Sequence, residues 1–172
     1  MKKSTSLSGK AIVIKDTQGK GIDDIDTDMI FHNKHLHITD IDEMGKYTFD
    51  NLKGYQDFAL KVEQGDIIIT QRNFGSGSSR QQAVDCFKSL GVSLILARSF
   101  GAIYERNAIN SAFPILTYNN LDELDLRNHD PVEVDLQSGE IKNIRSGKSK
   151  KIKGFSDVQI EIFQRGGLLK AK

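Results

Sequence analysis

The chain has 172 residues, 38% of them hydrophobic and 27% charged, with 24 Lys+Arg against 23 Asp+Glu and a net charge of +1. These values describe one globular domain, residues 1–172, long enough to bury a core without disulfides or metals, and they leave no large basic field for nucleic acid. The longest apolar runs, Ile67-Ile68-Ile69 and Leu94-Ile95-Leu96-Ala97, are too short to span a bilayer, and the N-terminus lacks the apolar stretch of a signal peptide.

The single cysteine, Cys86, excludes an internal disulfide and suits a reducing cytoplasm. It also limits metal chemistry. An iron–sulfur cluster needs three or four thiolates, so any cluster used in the reaction must be held by another polypeptide.

In chain order, residues 11–15 (Ala-Ile-Val-Ile-Lys) predict a strand, followed by a turn at Gly19 to Gly21. Asp23 to Thr39 shows no clean period and predicts a long loop. Asp40 to Phe49 and Asp57 to Glu63 predict short helices, and Asp66 to Thr70 a buried strand of β-branched residues. A loop from Gln71 to Ser79 then leads into a helix of about twelve residues whose apolar face is Ala83, Val84, Phe87 and Leu90, closed by Gly91. Val92 to Ala97 predicts a strand, Ala102 to Ala112 a helix, and Ile115 to Tyr118, after Pro114, another strand. Strand–helix–strand–helix–strand with short links argues for a parallel sheet. Val132 to Leu136 and Glu140 to Ile144 alternate around Ser138-Gly139 and predict a hairpin. Lys148 to Lys153 predicts a solvated edge, and Asp157 to Gln164 a last helix capped by Gly166-Gly167.

The distinctive segment is Asn73-Phe74-Gly75-Ser76-Gly77-Ser78-Ser79-Arg80-Gln81-Gln82-Ala83. Its glycines permit positive φ and close backbone approach, and it ends at a helix N-terminus, where free amides and the helix dipole favour an anion. Arg80 can grip a carboxylate bidentately, with Ser78 and Ser79 beside it. A plainer reading is that Ser78 with Gln81, and Ser79 with Gln82, form capping boxes that merely start the helix. The segment lacks the third glycine of a dinucleotide fingerprint, the Gly-Lys-Ser/Thr ending of a phosphate loop and the flanking glycines of a hydrolase elbow.

Three stretches together resemble the swivelling domain of the aconitase and isopropylmalate isomerase family. They are Ile25-Asp26-Thr27-Asp28-Met29-Ile30, then Phe74 to Arg80, then Arg98-Ser99-Phe100 with Arg106-Asn107-Ala108-Ile109-Asn110. They stand in the family's order, and the resemblance covers roughly residues 8 to 170, at the length of a free-standing small subunit. What it implies is a swivelling β/β/α domain with a mainly parallel central sheet and a smaller antiparallel hairpin region. This domain closes over a [4Fe-4S] cluster carried by a large subunit. The implied reaction dehydrates a 2- or 3-hydroxy acid and rehydrates the enoate, with one iron acting as Lewis acid on the leaving hydroxyl. Isopropylmalate, of leucine biosynthesis, stands first among substrates; homoaconitate, citrate or a methylated malate are alternatives. By the motif match Ser78 is the catalytic base, Ser79 and Arg80 hold substrate carboxylate, and Asp28 lies near the substrate. The rival reading is a carboxylate-binding module without catalysis. Two departures stand out: Gln81-Gln82 where many relatives carry Glu-His or Glu-Gln, and Phe31-His32 where they usually carry Ile-Pro.

Asp24, Asp26 and Asp28 alternate like a calcium loop, but Met29 and His35 occupy the positions that need glycine and glutamate, which excludes calcium. His32, His35 and His37 can be read as a zinc cluster, a weak reading since no thiol is near. His35-Leu36-His37-Ile38 falls where relatives carry a segment that selects the substrate side chain. There His37 is the candidate for a distal carboxylate, against a reading of all three as solvated loop histidines. Cys86, among Ala83, Phe87 and Leu90, is expected to be a buried small hydrophobe. Tyr104, Arg106 and Asn107 either buttress the site or cap and pack their helix.

Overall fold

Strands whose residues are apolar on both faces belong inside a sheet covered on both sides, and the central strands are of this kind. In a computed structural model, which describes residues 2–171, they form one seven-stranded sheet in the order β4-β3-β2-β1-β5-β6-β7. Residues 1 and 172, the ends of the expected domain, lie outside the described residues. The strands are β1 (Ser6–Val13), β2 (Ile67–Ile69), β3 (Leu94–Ala97), β4 (Ile115–Thr117), β5 (Pro131–Asp135), β6 (Glu140–Asn143) and β7 (Ser149–Lys151). The first four run parallel, as the alternation of strands and helices predicts. The hairpin β5–β6 and the edge strand β7 continue the sheet antiparallel.

β1 joins the two halves. Its residues 11–13 pair parallel with β2, and its residues 6–10 pair antiparallel with β5. It therefore starts five residues before the predicted strand and stops two short of it. The added part alternates polar and apolar residues around Gly9, and its pairing partner lies more than 120 residues away, so no local signal marks it. The expected solvated edge at 148–153 contains β7, which pairs on one side only.

One face of the parallel strands carries Ile68, Ile95 and Ile115 into a core with Phe49, Phe74, Phe87 and Tyr104. The other carries Ile67, Ile69, Leu94 and Leu96 against Val132, Val134, Ile141 and Phe163. The first core is covered by α4 (Gln82–Ser89) and α5 (Ala102–Asn110); α6 (Asp157–Arg165) packs beside α5 and reaches the second through Phe163. α6 has a complete capping box between Ser156 and Gln159 and ends at Gly166 with φ 87°. α4, at eight residues, is shorter than the predicted twelve: it starts only at Gln82, after a loop tied by backbone bonds to Ile25, Thr27 and Ser99.

The predicted loop at 23–39 contains α1 (Thr27–Ile30), capped by Asp26 accepting from the Met29 amide at 2.9 Å, and a 3₁₀ turn over Asn33–His35. Four residues are too few to show a period. The helix expected from Asp40 to Phe49 breaks into α2 (Ile41–Met44) and a 3₁₀ turn at Gly45–Tyr47; α3 (Phe58–Lys61) follows. Among the described residues, no helix is long and apolar enough to cross a membrane.

Candidate active site

The loop after β2 is fixed from both sides by backbone pairing. On one side the Gly75 amide donates to the Ile25 carbonyl at 2.7 Å and the Thr27 amide to the Ser76 carbonyl at 2.9 Å. On the other, the Phe74 amide donates to Ser99 O at 3.0 Å, and the Gly101 amide to Phe74 O at 2.9 Å. The Asn73 amide donates to Ser99 Oγ, and the Asn73 side chain to Asp24 Oδ1. These bonds place the Ile25–Ile30, Phe74–Arg80 and Arg98–Phe100 stretches side by side.

The loop can approach so closely only because of a glycine. Gly75 has φ +79°, and a Cβ there would lie 2.2 Å from Tyr104 Cγ, inside the ring's van der Waals radius. Tyr104 is 2% exposed and its hydroxyl donates to the Ala83 carbonyl at 2.8 Å. It therefore joins α5 to α4 beneath the loop, which settles it as a buttress.

Gln81, the residue before α4, makes no side-chain cap, so neither proposed capping box forms. The serines precede the helix instead of starting it. Thr27 Oγ1 donates to the Ser78 carbonyl at 2.9 Å, which fixes the backbone while Ser78 and Ser79 stay exposed. The helix start leaves amides without intrahelical acceptors close to both hydroxyls in sequence.

Arg80 has only 12% of its side chain exposed. Its Nη1 donates to Asp28 Oδ1 at 2.8 Å and to the Phe31 carbonyl at 2.9 Å. Asp28 also accepts from the Asn33 amide at 2.9 Å and from Asn51 Nδ2 at 3.3 Å. Hydrogen bonding from Arg80, joined by the Asn33 amide, holds its carboxyl below the usual carboxylate range. So Asp28 is already engaged with Arg80, whose Nε and Nη2 have no acceptor among the described residues.

A model of the Aconitase C-terminal domain matches residues 11–121. The chain belongs to the aconitase C-terminal domain family. It is 39% identical over 158 residues to the 3-isopropylmalate dehydratase small subunit of Caldicellulosiruptor bescii, covering 92% of this chain and 93% of that one. It is equally 39% identical, over 147 residues, to the methanogen homoaconitase small subunit of Methanothermobacter thermautotrophicus, covering 86% and 83%. The crystal structure of 3-isopropylmalate dehydratase from Methanocaldococcus jannaschii superposes with a TM-score of 0.82 at 34% identity, covering 95% of this chain and 91% of that one. Relatives in this aconitase-type family are thus named as dehydratase subunits, a hydro-lyase class.

The expected side-chain-reading segment divides within this family domain. His35 is anchored: its Nε2 lies 2.6 Å from Asp50 Oδ2 and its ring stacks on Tyr47 at 4.0 Å. His32 accepts the Lys34 amide through Nδ1. His37 is exposed, which places it at the surface of the loop. Gln82 Nε2 reaches the Leu36 carbonyl at 3.4 Å and ties this loop to the start of α4. Among the described residues no group of three or more His, Cys, Asp or Glu is placed to hold a metal ion. Cys86 is buried, and burial pushes its thiol up to about 12, the opposite of what a thiolate ligand needs.

Sequence reasoning missed Asn51, which donates to both the carbonyl and the carboxylate of Asp28. No motif marks it. It left Asn107 unassigned, although the Arg-Asn-Ala-Ile-Asn stretch contains it; its Nδ2 donates to Ser79 Oγ at 3.2 Å. Arg106, the neighbour of Asn107, is exposed. A cavity of about 440 Å³ lined by Val13, Ile69, Arg98 and Tyr118 does not include the serines or Arg80.

Proposed function

We propose that this chain is the small subunit of a [4Fe-4S]-dependent hydro-lyase, 3-isopropylmalate dehydratase, working in the cytoplasm with a larger cluster-bearing subunit. The observation that carries the reading is the exposed pair Ser78 and Ser79 on a rigidly paired loop next to the part-buried Arg80. The residues present do not fit a resident cluster, because the only thiol is buried and held protonated. The cluster is therefore assigned to the partner. Relatives at 39% identity over most of their length carry the name small subunit, which supports such a partner.

In this reading Ser78 Oγ, as the alkoxide, takes the proton from the substrate carbon. An alkoxide is costly away from water unless donors and positive charge surround it. The free amides at the start of α4 and the guanidinium two residues on supply both. Ser79 Oγ and the unused Nε and Nη2 of Arg80 hold a substrate carboxylate, and Asp28 keeps the arginine aimed by occupying Nη1. In the same reading the exposed His37 meets the variable side chain of the substrate. Leu36, exposed at 38% beside His37, provides apolar surface for the partner to cover.

Mixing the chain with a cluster-loaded large subunit tests the proposal. Dehydration of 2-isopropylmalate, citrate and homocitrate is followed by the absorbance of the enoate. Turnover is expected only in the mixture and highest with isopropylmalate. Turnover by the chain alone, or none in any mixture, refutes the reading. The equal identity to a homoaconitase subunit favours a second substrate, the tricarboxylic homologue, and the same panel decides between them.

A further inference from the structure

Asn107 stands outside every role assigned above, yet the fold holds it firmly. Its helix, α5, starts where the Gly101 amide donates to Phe74 O, and Tyr104 one turn on fills the space beside Gly75. The Tyr104 hydroxyl then joins α5 to α4 through Ala83 O. From this seat Asn107 Nδ2 donates to Ser79 Oγ at 3.2 Å. A serine hydroxyl has one proton and two lone pairs. With one lone pair filled by the amide, the rotor settles and its proton points to an acceptor elsewhere. Among the described residues Ser79 Oγ makes no other hydrogen bond.

We infer that Asn107 is a positioning residue: its amide sets the Ser79 hydroxyl as a donor to the substrate carboxylate. The inference rests on Ser79 being a carboxylate ligand, as proposed above. Removing the amide frees the rotor and weakens one neutral hydrogen bond to substrate. A carboxylate in its place accepts from Ser79, withdraws that proton and sets a negative charge beside an anion.

The test compares Asn107→Ala, Asn107→Asp, Ser79→Ala and the Ser79→Ala/Asn107→Ala double variant in the reconstituted pair, reading KM and kcat separately. Asn107→Ala is expected to raise KM about 3- to 10-fold with kcat within about twofold. Asn107→Asp should raise KM further. In the Ser79→Ala background, Asn107→Ala should change nothing more, since the effect passes through Ser79. Additive effects in the double variant, or equal falls in kcat and thermal midpoint with KM unchanged, overturn the inference. If Ser79→Ala raises KM and Asn107→Ala does not, Ser79 keeps its role and only the inference about Asn107 fails. If Ser79→Ala leaves KM unchanged, both fail together.

Discussion

Two arginine–aspartate pairs, one flanking each half of the sheet, are built in opposite senses. Beside the parallel half the arginine is the less exposed partner: Arg80 is 12% exposed and Asp28 41%. In the antiparallel half the acid is buried: Asp130 is 7% exposed and Arg145 34%. Both oxygens of Asp130 are consumed internally, Oδ1 by Arg145 Nε and Oδ2 by Asn143 Nδ2 and the Arg127 amide. Asn143, fully buried, also donates to the Leu124 carbonyl. Arg80 is held by one nitrogen and keeps two others unspent. The difference separates a tie from a tool. A polar cluster whose capacity is used up fastens a loop to a hairpin, whereas a part-buried cation with spare donors next to exposed hydroxyls is arranged to receive an anion.

The largest expected effect comes from breaking the frame under the receiving loop. Gly75→Ala places a Cβ into Tyr104 at positive φ, so it should cost more than about 3 kcal/mol in unfolding free energy and abolish activity with it. Denaturant unfolding that matches wild type would mean the ring can move aside and the frame is not rigid. Arg80→Lys keeps the charge but loses the fork, so KM should rise by roughly tenfold with a small change in kcat. An unchanged KM would mean that the spare nitrogens do not meet substrate.

Asn143→Ala should do the reverse: lose about 1–3 kcal/mol of stability, because Asp130 and the Leu124 carbonyl lose a buried donor, with kcat and KM unmoved. The acid limb sharpens the contrast. Hydrogen bonding from Arg145, helped by the Arg127 amide and Asn143, lowers the Asp130 carboxyl from 3.8 to about 2. A depressed pKa stabilises the fold fully above the unfolded value and loses that contribution as pH falls through the folded one. Wild type should therefore lose stability between about pH 4 and pH 2, and Asp130→Asn should be less stable at neutral pH with a flatter slope in that window. Parallel slopes would show that the tie is not electrostatic. The smallest effect is expected at His37, which is exposed. His37→Arg should shift the ratio of kcat/KM toward substrates with an extra distal carboxylate by about tenfold, the low end of the roughly 10- to 150-fold range for one charge-assisted contact. A ratio unchanged within twofold would place specificity in the partner.

The strand–helix alternation from Ile67 to Thr117 was legible because both faces of those strands are buried and Gly91 and Pro114 punctuate it. Ser6–Lys10 was not, since its partner β5 is remote and its own residues are mostly polar. α1 escaped because one turn has no periodicity. The Ser78/Gln81 and Ser79/Gln82 patterns misled because a Ser-x-x-Gln spacing does not say where a helix begins. At Ser156 the same spacing does form the box, with Ser156 Oγ accepting from the Gln159 amide and the Gln159 side chain from the Ser156 amide. In the site, the Gly/Ser loop and its arginine were legible as a motif. The Arg80–Asp28 pair spans 52 residues and the Asn107–Ser79 bond 28, and only the packing of α1 and α5 around the loop brings them together.

The most direct test is Ser78→Ala in the reconstituted pair. Ser78 is exposed and forms no cap, and its backbone is held by Thr27 through the carbonyl, so the variant should fold and bind its partner unchanged. Its kcat for dehydration should fall at least about 10²-fold, the scale for losing a positioned base, with exchange of the substrate's carbon-bound hydrogen with solvent falling alongside. Near-full turnover or undiminished exchange would contradict Ser78 as the base and leave the loop as a carboxylate cradle alone.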